Sequence, residues 1–456
     1  MIKIVLGLVA SAMSLSAVAE GYQVNTLSAR QLGMGHVGTG MHLGAESMFF
    51  NPAGLGYLDK KLDLSGSFTG VFPTAKATVN GTTYKTSNDP STPIMVNAGF
   101  SIYDNLKAGV SFYTPYGSGI NWTDNWPGAV LSQSVSLKVF TLQPTVSWRI
   151  TDRLSIGAGL TVNWGSVDLN KGLVDPATSD IMIGALAQSG VLPNPQFYNG
   201  VMPASINLSG KSSVSCGFNV GVMFDINEKV TVGASYRSKV KMSVDAGDAS
   251  ISFANAQAQL ILNELNVLNA TNFAASMPCP YVLSLGVSWK PISGLTLALD
   301  GRLSGWKTYK SLDIEFLDPL CAAYNQHIEK NYNNCWAFSV GGEYAITNRF
   351  DIRAGLMLDT SPCNEKHYNP ETPGMTKIEP SVGFSFKPFN GFAIDFGMMY
   401  IAGLGVDNAS CSYPDLLAAK LNAQLPAAAQ LPVVKTFTAD YKVHAFIPSI
   451  GLRYSF

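Results

Sequence analysis

Along most of this chain, apolar residues recur at every second position. In the stretch 350–360, Phe350, Ile352, Ala354, Leu356 and Leu358 share one face, opposite Asp351, Arg353 and Asp359. In 295–316, Leu295, Leu297, Leu299 and Leu303 oppose Asp300 and Arg302. In 211–226, Phe218, Val220, Val222, Phe224 and Ile226 oppose Asn219 and Asp225. A period of two places successive side chains on opposite faces of a β-strand. The pattern predicts fourteen strands, at 61–79, 93–103, 106–117, 134–150, 154–170, 211–226, 230–246, 281–292, 295–316, 335–346, 350–360, 376–389, 392–404 and 441–456.

The connectors alternate as the strands do. Very short turns stand at Asp104-Asn105, Thr151-Asp152-Arg153, Asn227-Glu228-Lys229, Ser293-Gly294, Thr347-Asn348-Arg349 and Asn390-Gly391, and long polar loops lie between them. A sheet with tight turns at one rim and long loops at the other reads as a transmembrane β-barrel. A soluble sandwich would alternate too, but gives no reason for such unequal connectors. Within a bilayer every backbone N–H and C=O must be paired, so an extended chain spans only as a closed barrel. A charge on the lipid side costs roughly 2–4 kcal/mol at the midplane, so the charged faces belong to the lumen. The expected fold is all-β: a transmembrane antiparallel β-barrel of about 14 strands.

Composition narrows the class. Charged residues are 13% and aromatics 11%, with 30 Lys+Arg against 31 Asp+Glu. No basic surface for nucleic acid is present. After the N-terminus no run of about 20 apolar residues appears, so helical spans are not expected. Residues 1–19 read as a signal peptide: Lys3 gives the positive start, Ile4 to Val9 open an apolar stretch, and Ala17-Val18-Ala19 is the cleavage site. Residues 20–60 lack strand periodicity and are rich in Gly, Ala, Ser and Met; they are expected to form a compact plug inside the barrel of residues 61–456.

Candidate chemistry is sparse. Cys216, Cys279, Cys321, Cys335, Cys363 and Cys411 form no CxxC or zinc pattern, and no cofactor or metal is expected. In an exported chain disulfides persist, and Cys321 with Cys335, flanking one loop, is the expected pair. Gly33-Met34-Gly35-His36-Val37-Gly38 matches GxGxxG but follows no strand, so it is no dinucleotide site. His36 and His42 lack further metal ligands. No nucleophile elbow or P-loop is visible, and no catalytic residue is assigned. Two loop stretches, 179–189 and 254–268, carry apolar residues at helical spacing. Either they pack on each other or they offer a landing site for a hydrophobic ligand. In the last strand Ile450, Leu452, Tyr454 and the terminal Phe456 share a face, which resembles the C-terminal signature that the barrel-assembly machinery reads in outer-membrane proteins.

Three further motifs carry a resemblance. GYQVNTLSARQLGMGHVGTG followed by Asn51-Pro52-Ala53, then YTPYGSGINW (113–122), then GLMLDTSP (355–362), occur in that order. Together they resemble the FadL-type outer-membrane transporters of long-chain fatty acids and other hydrophobic compounds, over nearly the whole mature chain. The resemblance implies a plug gated near Asn51, Pro52 and Ala53, a lateral opening where the third strand bends inward, and an aspartate, here Asp359, at the ligand pocket. Pro115 cannot donate to a ladder, and Gly117 and Gly119 weaken the strand, which independently favours a gap there. Where the family's pocket carries a basic residue, this chain reads VNWGSVDL (162–169), so Lys307, Lys310 or Arg302 is expected to take that role.

The expected function is passive, diffusion-driven uptake of a fatty acid or an aromatic hydrocarbon. The expected setting is the outer membrane of a Gram-negative bacterium, where the chain is a multi-pass monomer among outer-membrane lipid. Two other classes remain open. A lipid-acting barrel enzyme would need a Ser/His pair at the outer leaflet. A structural or adhesive barrel would show no pocket between plug and wall.

Overall fold

A computed structural model describes residues 21–123, 126–192, 194–196, 199–265 and 270–456. The expected signal peptide lies outside them, as do residues 266–268 of the second helix-like stretch. Among the described residues no helix is long and apolar enough to cross a membrane.

Fourteen strands form the wall: β1 (Leu62–Thr69), β2 (Ile94–Tyr103), β3 (Leu106–Asn121), β4 (Ser134–Arg149), β5 (Leu154–Gly172), β6 (Ser215–Asn227), β7 (Val230–Arg237), β8 (Val282–Trp289), β9 (Leu295–Ser304), β10 (Cys335–Thr347), β11 (Phe350–Asp359), β12 (Lys377–Phe386), β13 (Phe392–Gly403) and β14 (Val434–Ser455). Each pairs antiparallel with the next. The ring closes where β14 pairs with β1, Ile450 opposite Phe68 and Tyr454 opposite Leu64. Each expected span overlaps one of these strands, although Leu106–Asn121 runs past the expected end at 117 and Val434–Ser455 begins well before the expected start at 441, and each expected short turn joins two of them.

The faces follow the alternation. On β11, Ile352, Leu356 and Leu358 are exposed on the outer wall while Asp351, Arg353 and Asp359 are buried toward the lumen. Exposed Tyr103, Trp148, Trp289, Tyr344, Phe386 and Tyr454 gather at the short-turn end, as an interfacial aromatic girdle does.

Three expected spans are broken in two. Short interruptions fall at Gly70-Val71, at Ser238-Lys239 and between Gly305 and Lys310; across the first the pairing with β14 keeps its register, Thr69 opposite Ser449 and Phe72 opposite Phe446. Beyond these breaks a second tier of strands builds the outer rim: 72–79 with 82–85, 204–211, 240–253, 272–279, 311–316, 326–329 and 406–414. The upper half of β5 pairs with 204–211, its lower half with β6. The helical spacing in two loops yields the helices Pro176–Gln188 and Ala256–Glu264. Cys216, Cys279, Cys321, Cys363 and Cys411 are free thiols, so the expected Cys321–Cys335 bridge is not formed. Cys321 packs in the apolar cluster of the rim and Cys335 in a separate aromatic cluster.

Residues 21–58 fill the lumen as short helical turns, nearly all buried. Glycines on the wall make room for this plug. Gly221 on β6 faces the Asn51 side chain, Gly157 on β5 faces Pro52, and the paired Gly341 and Gly355 on β10 and β11 face Met34 and Gly35. A Cβ at any of these would overlap plug atoms. Polar bonds then fix the plug's orientation. Arg30 Nη2 lies 2.8 Å from Glu343 Oε1, and the wall's Arg353 Nε lies 2.6 Å from Glu343 Oε2. His36 is buried with its Nε2 3.0 Å from the Leu27 carbonyl. Burial, and then the nearby Arg302 charge, hold its pKa down at about 3.

Two outcomes are expected. Gly221→Ala should destabilise the barrel by roughly 1–3 kcal/mol, the usual cost of overpacking. Gly66→Ala, where the nearest atom to a Cβ is 3.8 Å away, should be close to neutral. Unfolding midpoints in detergent compare them, and equal midpoints would refute the seating. A neutral buried His36 contributes stability that is present above its unfolded value of 6.5 and is lost as the pH falls toward 3. The difference in stability between wild type and His36→Gln, measured from pH 7 to 4, should therefore move against the wild type below about 6.5. A flat difference would show that His36 does not titrate in this way.

Candidate functional site

The site begins at an irregularity in β3. Its register with β4 pairs Tyr113 with Thr141 and then Tyr116 with Val139, leaving one extra residue as a bulge at Thr114-Pro115. Proline supplies no N–H, and a bulge re-aims the strand that carries it. On its other edge β3 pairs with β2 only as far as Tyr113 opposite Met95. Beyond that point the plug's first residues take the partner's place. Val24 N donates to Pro115 O and Gly117 N donates to Tyr22 O, both at 2.8 Å, with Gln23 opposite Tyr116. Pro115 and Gly117 thus lie along a seam in the wall, and the strand runs on past Gly119 to Asn121.

An aromatic cluster holds the N-terminal segment on this seam. The Tyr22 ring lies 4.6 Å from Trp306 and 5.9 Å from Tyr309, and Tyr309 lies 5.1 Å from Tyr332. The break after β9 makes this possible, because Gly305 turns Trp306 inward to complete burial. The Tyr22 hydroxyl donates to the Pro278 carbonyl. Burial pushes the Tyr22 and Tyr309 hydroxyls well above their ordinary range, so both stay neutral.

Above the seam lies an apolar cavity of about 720 Å³, part of it open to solvent. Val135, Leu137 and Val139 of β4, Val167 and Leu169 of β5, and Met242 and Met277 of the rim supply most of its apolar lining, and Tyr22 closes its lower side. Its charged lining residues are Lys138 and Glu371. Glu371 is held by buried Lys330 at 2.7 Å. Concave, mostly apolar walls with a few polar groups suit a hydrophobic small molecule.

A second, smaller cavity of about 40 Å³ lies between plug and wall, lined by polar and apolar side chains that include Gln23, His36, Arg237, Asp300 and Arg302. Tyr22 faces the first cavity and Gln23 the second. Consecutive residues of an extended segment point to opposite sides, so this segment is a partition between them.

The structure does not gather the four polar residues expected at the ligand. Arg302 lines the second cavity, 3.5 Å from His36 Nδ1. Asp359 is fully buried and takes Lys377 Nζ at 3.0 Å, tying β11 to β12. Lys307 and Lys310 are exposed at the rim and line neither cavity, because the turn that sends Trp306 inward sends them outward. Asn51, Pro52 and Ala53 sit against the wall well anchored. Asn51 Nδ2 donates to Thr39 O at 2.9 Å and to Val222 O at 3.0 Å, and Ser155 Oγ donates to Ala53 O at 2.8 Å. Among the described residues no His/Cys/Asp/Glu group is arranged to hold a metal. Val167 and Leu169 of the pocket lie in the stretch 162–169 that the resemblance places at the ligand. The other apolar pocket residues escaped sequence reading because several segments supply them, although the alternation of Val135, Leu137 and Val139 is a signal of an inward apolar face.

Comparison with known proteins agrees with this geometry. A family model described as outer membrane protein transport protein (OMPP1/FadL/TodX) matches residues 10–456. Outer membrane protein P1 of Haemophilus influenzae is 22% identical over 307 residues, and the match covers 66% of this chain and 64% of that protein's length. The long-chain fatty acid transport protein of Escherichia coli O6:H1 is 22% identical over 429 residues, covering 88% of this chain and 91% of that one. The crystal structure of a Pseudomonas aeruginosa FadL homologue superposes with a TM-score of 0.75 at 17% identity, covering 96% of this chain and 100% of that chain. The chain therefore belongs to the OMPP1/FadL/TodX family of outer-membrane proteins.

Proposed function

We propose that this protein takes up hydrophobic molecules passively and releases them sideways through the seam in β3. The observation that carries the reading is the position of the apolar cavity, which shares Tyr22 with that seam. Capture begins at the rim, where the helices 176–188 and 256–264 leave Ile181 and Leu260 exposed. Burial of apolar surface, at roughly 25 cal/mol per Å², draws the ligand from rim to pocket. Release into outer-membrane lipid past Pro115, Gly117 and Gly119 needs no energy source while the product is diluted into the membrane.

The gate in this reading is the segment 22–24, not a shift of the plug around Asn51-Pro52-Ala53. Those three residues are bonded to the wall and seated against its glycines. Peeling Tyr22–Val24 from β3 breaks two backbone hydrogen bonds, a net cost of about 1–3 kcal/mol at the usual value of each, and also withdraws the buried Tyr22 ring from Trp306 and Tyr309, which adds to that cost. The ligand is a long-chain fatty acid, as in the name of the Escherichia coli relative, or an aromatic hydrocarbon. Arg302 keeps a place near a ligand head group, Asp359 serves as a strand tie, and Lys307 and Lys310 stay at the rim. The protein acts as a monomer and as a carrier, with no catalytic residue and no cofactor.

A reversible lock tests the gate. Gln23 and Tyr116 face each other as a non-hydrogen-bonded antiparallel pair, whose Cα atoms stand about 4.5 Å apart, within disulfide range. With the native cysteines replaced, Gln23→Cys with Tyr116→Cys should abolish cellular uptake of a labelled long-chain fatty acid when oxidised and restore it on reduction. Uptake that continues in the oxidised form would end the proposal.

A further inference from the structure

We propose that the outer face of the barrel carries a docking site for a phosphorylated lipid of the outer leaflet, whose head group lays two phosphates across Lys85, Lys76 and Lys442. The hairpin 72–79 and 82–85 continues the wall beside β14. The three lysines stand at one height on adjacent strands, with Lys76 opposite Lys85 on one side and opposite Lys442 on the other. Their neighbours Ala75, Ala77, Tyr441 and Val443 are buried in the apolar cluster of the rim, so by alternation the lysines face outward. Lys85 and Lys442 are exposed and Lys76 is half-buried. His444, the next outward residue on β14, lies close enough to feel all three charges.

Like charges directly opposite one another destabilise a sheet. Strands lie about 4.8 Å apart, so the backbones carrying the row span only about 10 Å. Among the described residues none of the three lysines is held in an ion pair. The next outward acid along β14, Asp440, stands opposite Thr78, one step nearer the loops, and its Oδ1 accepts the Asn408 N–H at 2.7 Å. Lys85 lies on the outer strand of the hairpin, where a lysine guards against edge-to-edge pairing. Lys76 and Lys442 lie inside a paired ladder, and that role does not account for them. A bound anion offsets the repulsion along the whole row.

The height of the row selects the anion. Tyr454 marks the aromatic girdle at the short-turn end. At about 3.3 Å per residue and a tilt of about 40°, β14 rises about 30 Å from Tyr454 to Lys442, just above an apolar band about 25 Å tall. Beneath the lysines, exposed Phe446 stands opposite exposed Tyr400 of β13 on one side and exposed Phe72 on the other. Aromatic rings at the level of acyl chains, with ammonium groups directly above, complement an anionic lipid. A zwitterionic phospholipid brings its own ammonium and gains little from the row. A glycolipid carrying two phosphates spreads its charge along it, and lysine binds phosphate as a point charge. The row lies on the lipid side of the wall, apart from both cavities, so it is independent of the proposed transport route.

Lipid binding to the purified, detergent-solubilised full chain tests the site. The probes are diphosphoryl lipid A, its dephosphorylated form, phosphatidylethanolamine and inorganic phosphate, read by native mass spectrometry and by the shift in melting temperature. Diphosphoryl lipid A is expected to bind at least about tenfold more tightly than the dephosphorylated form or phosphatidylethanolamine. Lys76→Gln combined with Lys442→Gln should remove that preference. Lys290→Gln, which removes one charge from an exposed residue at the short-turn end, should keep it. Without lipid the double variant should melt no lower than the wild type, because it relieves repulsion, whereas lysines that merely support the fold would lower the melting temperature when replaced. Equal binding of the two lipid A forms by the wild type overturns the proposal, and so does a phosphate preference that survives the double variant. Stabilisation by inorganic phosphate with no preference for the phosphorylated lipid would assign the row to a free anion and overturn the lipid. Should the double variant misfold, Lys85→Gln on the edge strand repeats the comparison, with a weakened preference expected.

Discussion

Every level of this structure depends on pairing the backbone where no water can reach it. An unpaired peptide group in hydrocarbon costs several kcal/mol, so the wall must be a closed ladder. It closes between β14 and β1, and consecutive strands pair all the way round. The edge of β3 beyond Tyr113 departs from this pattern. There the neighbouring wall strand is missing, and Tyr22–Val24 of the plug satisfies part of the edge. A ladder partner that belongs to the plug can leave, whereas a wall strand cannot leave without opening the barrel.

The lumen is divided accordingly. On the short-turn side, inward charges pair with each other and with the plug: Arg30 and Arg353 share Glu343, and Arg453 Nε lies 2.6 Å from Asp395 Oδ2. Buried ion pairs are weak as sources of stability but specify a unique arrangement, which suits a body that must sit in one orientation. On the loop side the inward residues of β4 and β5 turn apolar, and the pocket forms there. Glycines at the contact let plug and wall approach closely.

The wall is legible in the sequence because lipid enforces a strict period of two and the turns at one rim are short. Alternation alone assigns Ile352 to the outer face and Asp351 to the lumen, and burial agrees. The rim is less legible. Asn80-Gly81, both at positive φ, joins the hairpin 72–79 and 82–85. An Asn-Gly pair between alternating segments is a strong hairpin signal, yet it lies at the end of a span that reads as one continuous strand. The strands 204–211, 272–279 and 406–414 are hidden inside long loops, since their stability comes from pairing with neighbouring strands rather than from local pattern. The site is least legible. Lys307 and Lys310 have suitable charge, but a turn of three residues at Trp306 decides which way they face. That turn is set by tertiary packing on Tyr22, far away in sequence.

On the proposed route the same packing links the pocket to the seam. The Tyr22 side chain is a wall of the apolar pocket, and its carbonyl accepts the Gly117 N–H on the seam. A ligand that fits beside Tyr22 leaves the seam closed, and one that displaces the ring must also release that hydrogen bond. A ligand shifts such an equilibrium only by the difference between its affinities for the two states. Tight binding to the closed state would therefore hinder release. On the proposed route the most efficient passenger is one that gains contact only after Tyr22 has moved, because every other passenger depends on spontaneous opening of the segment.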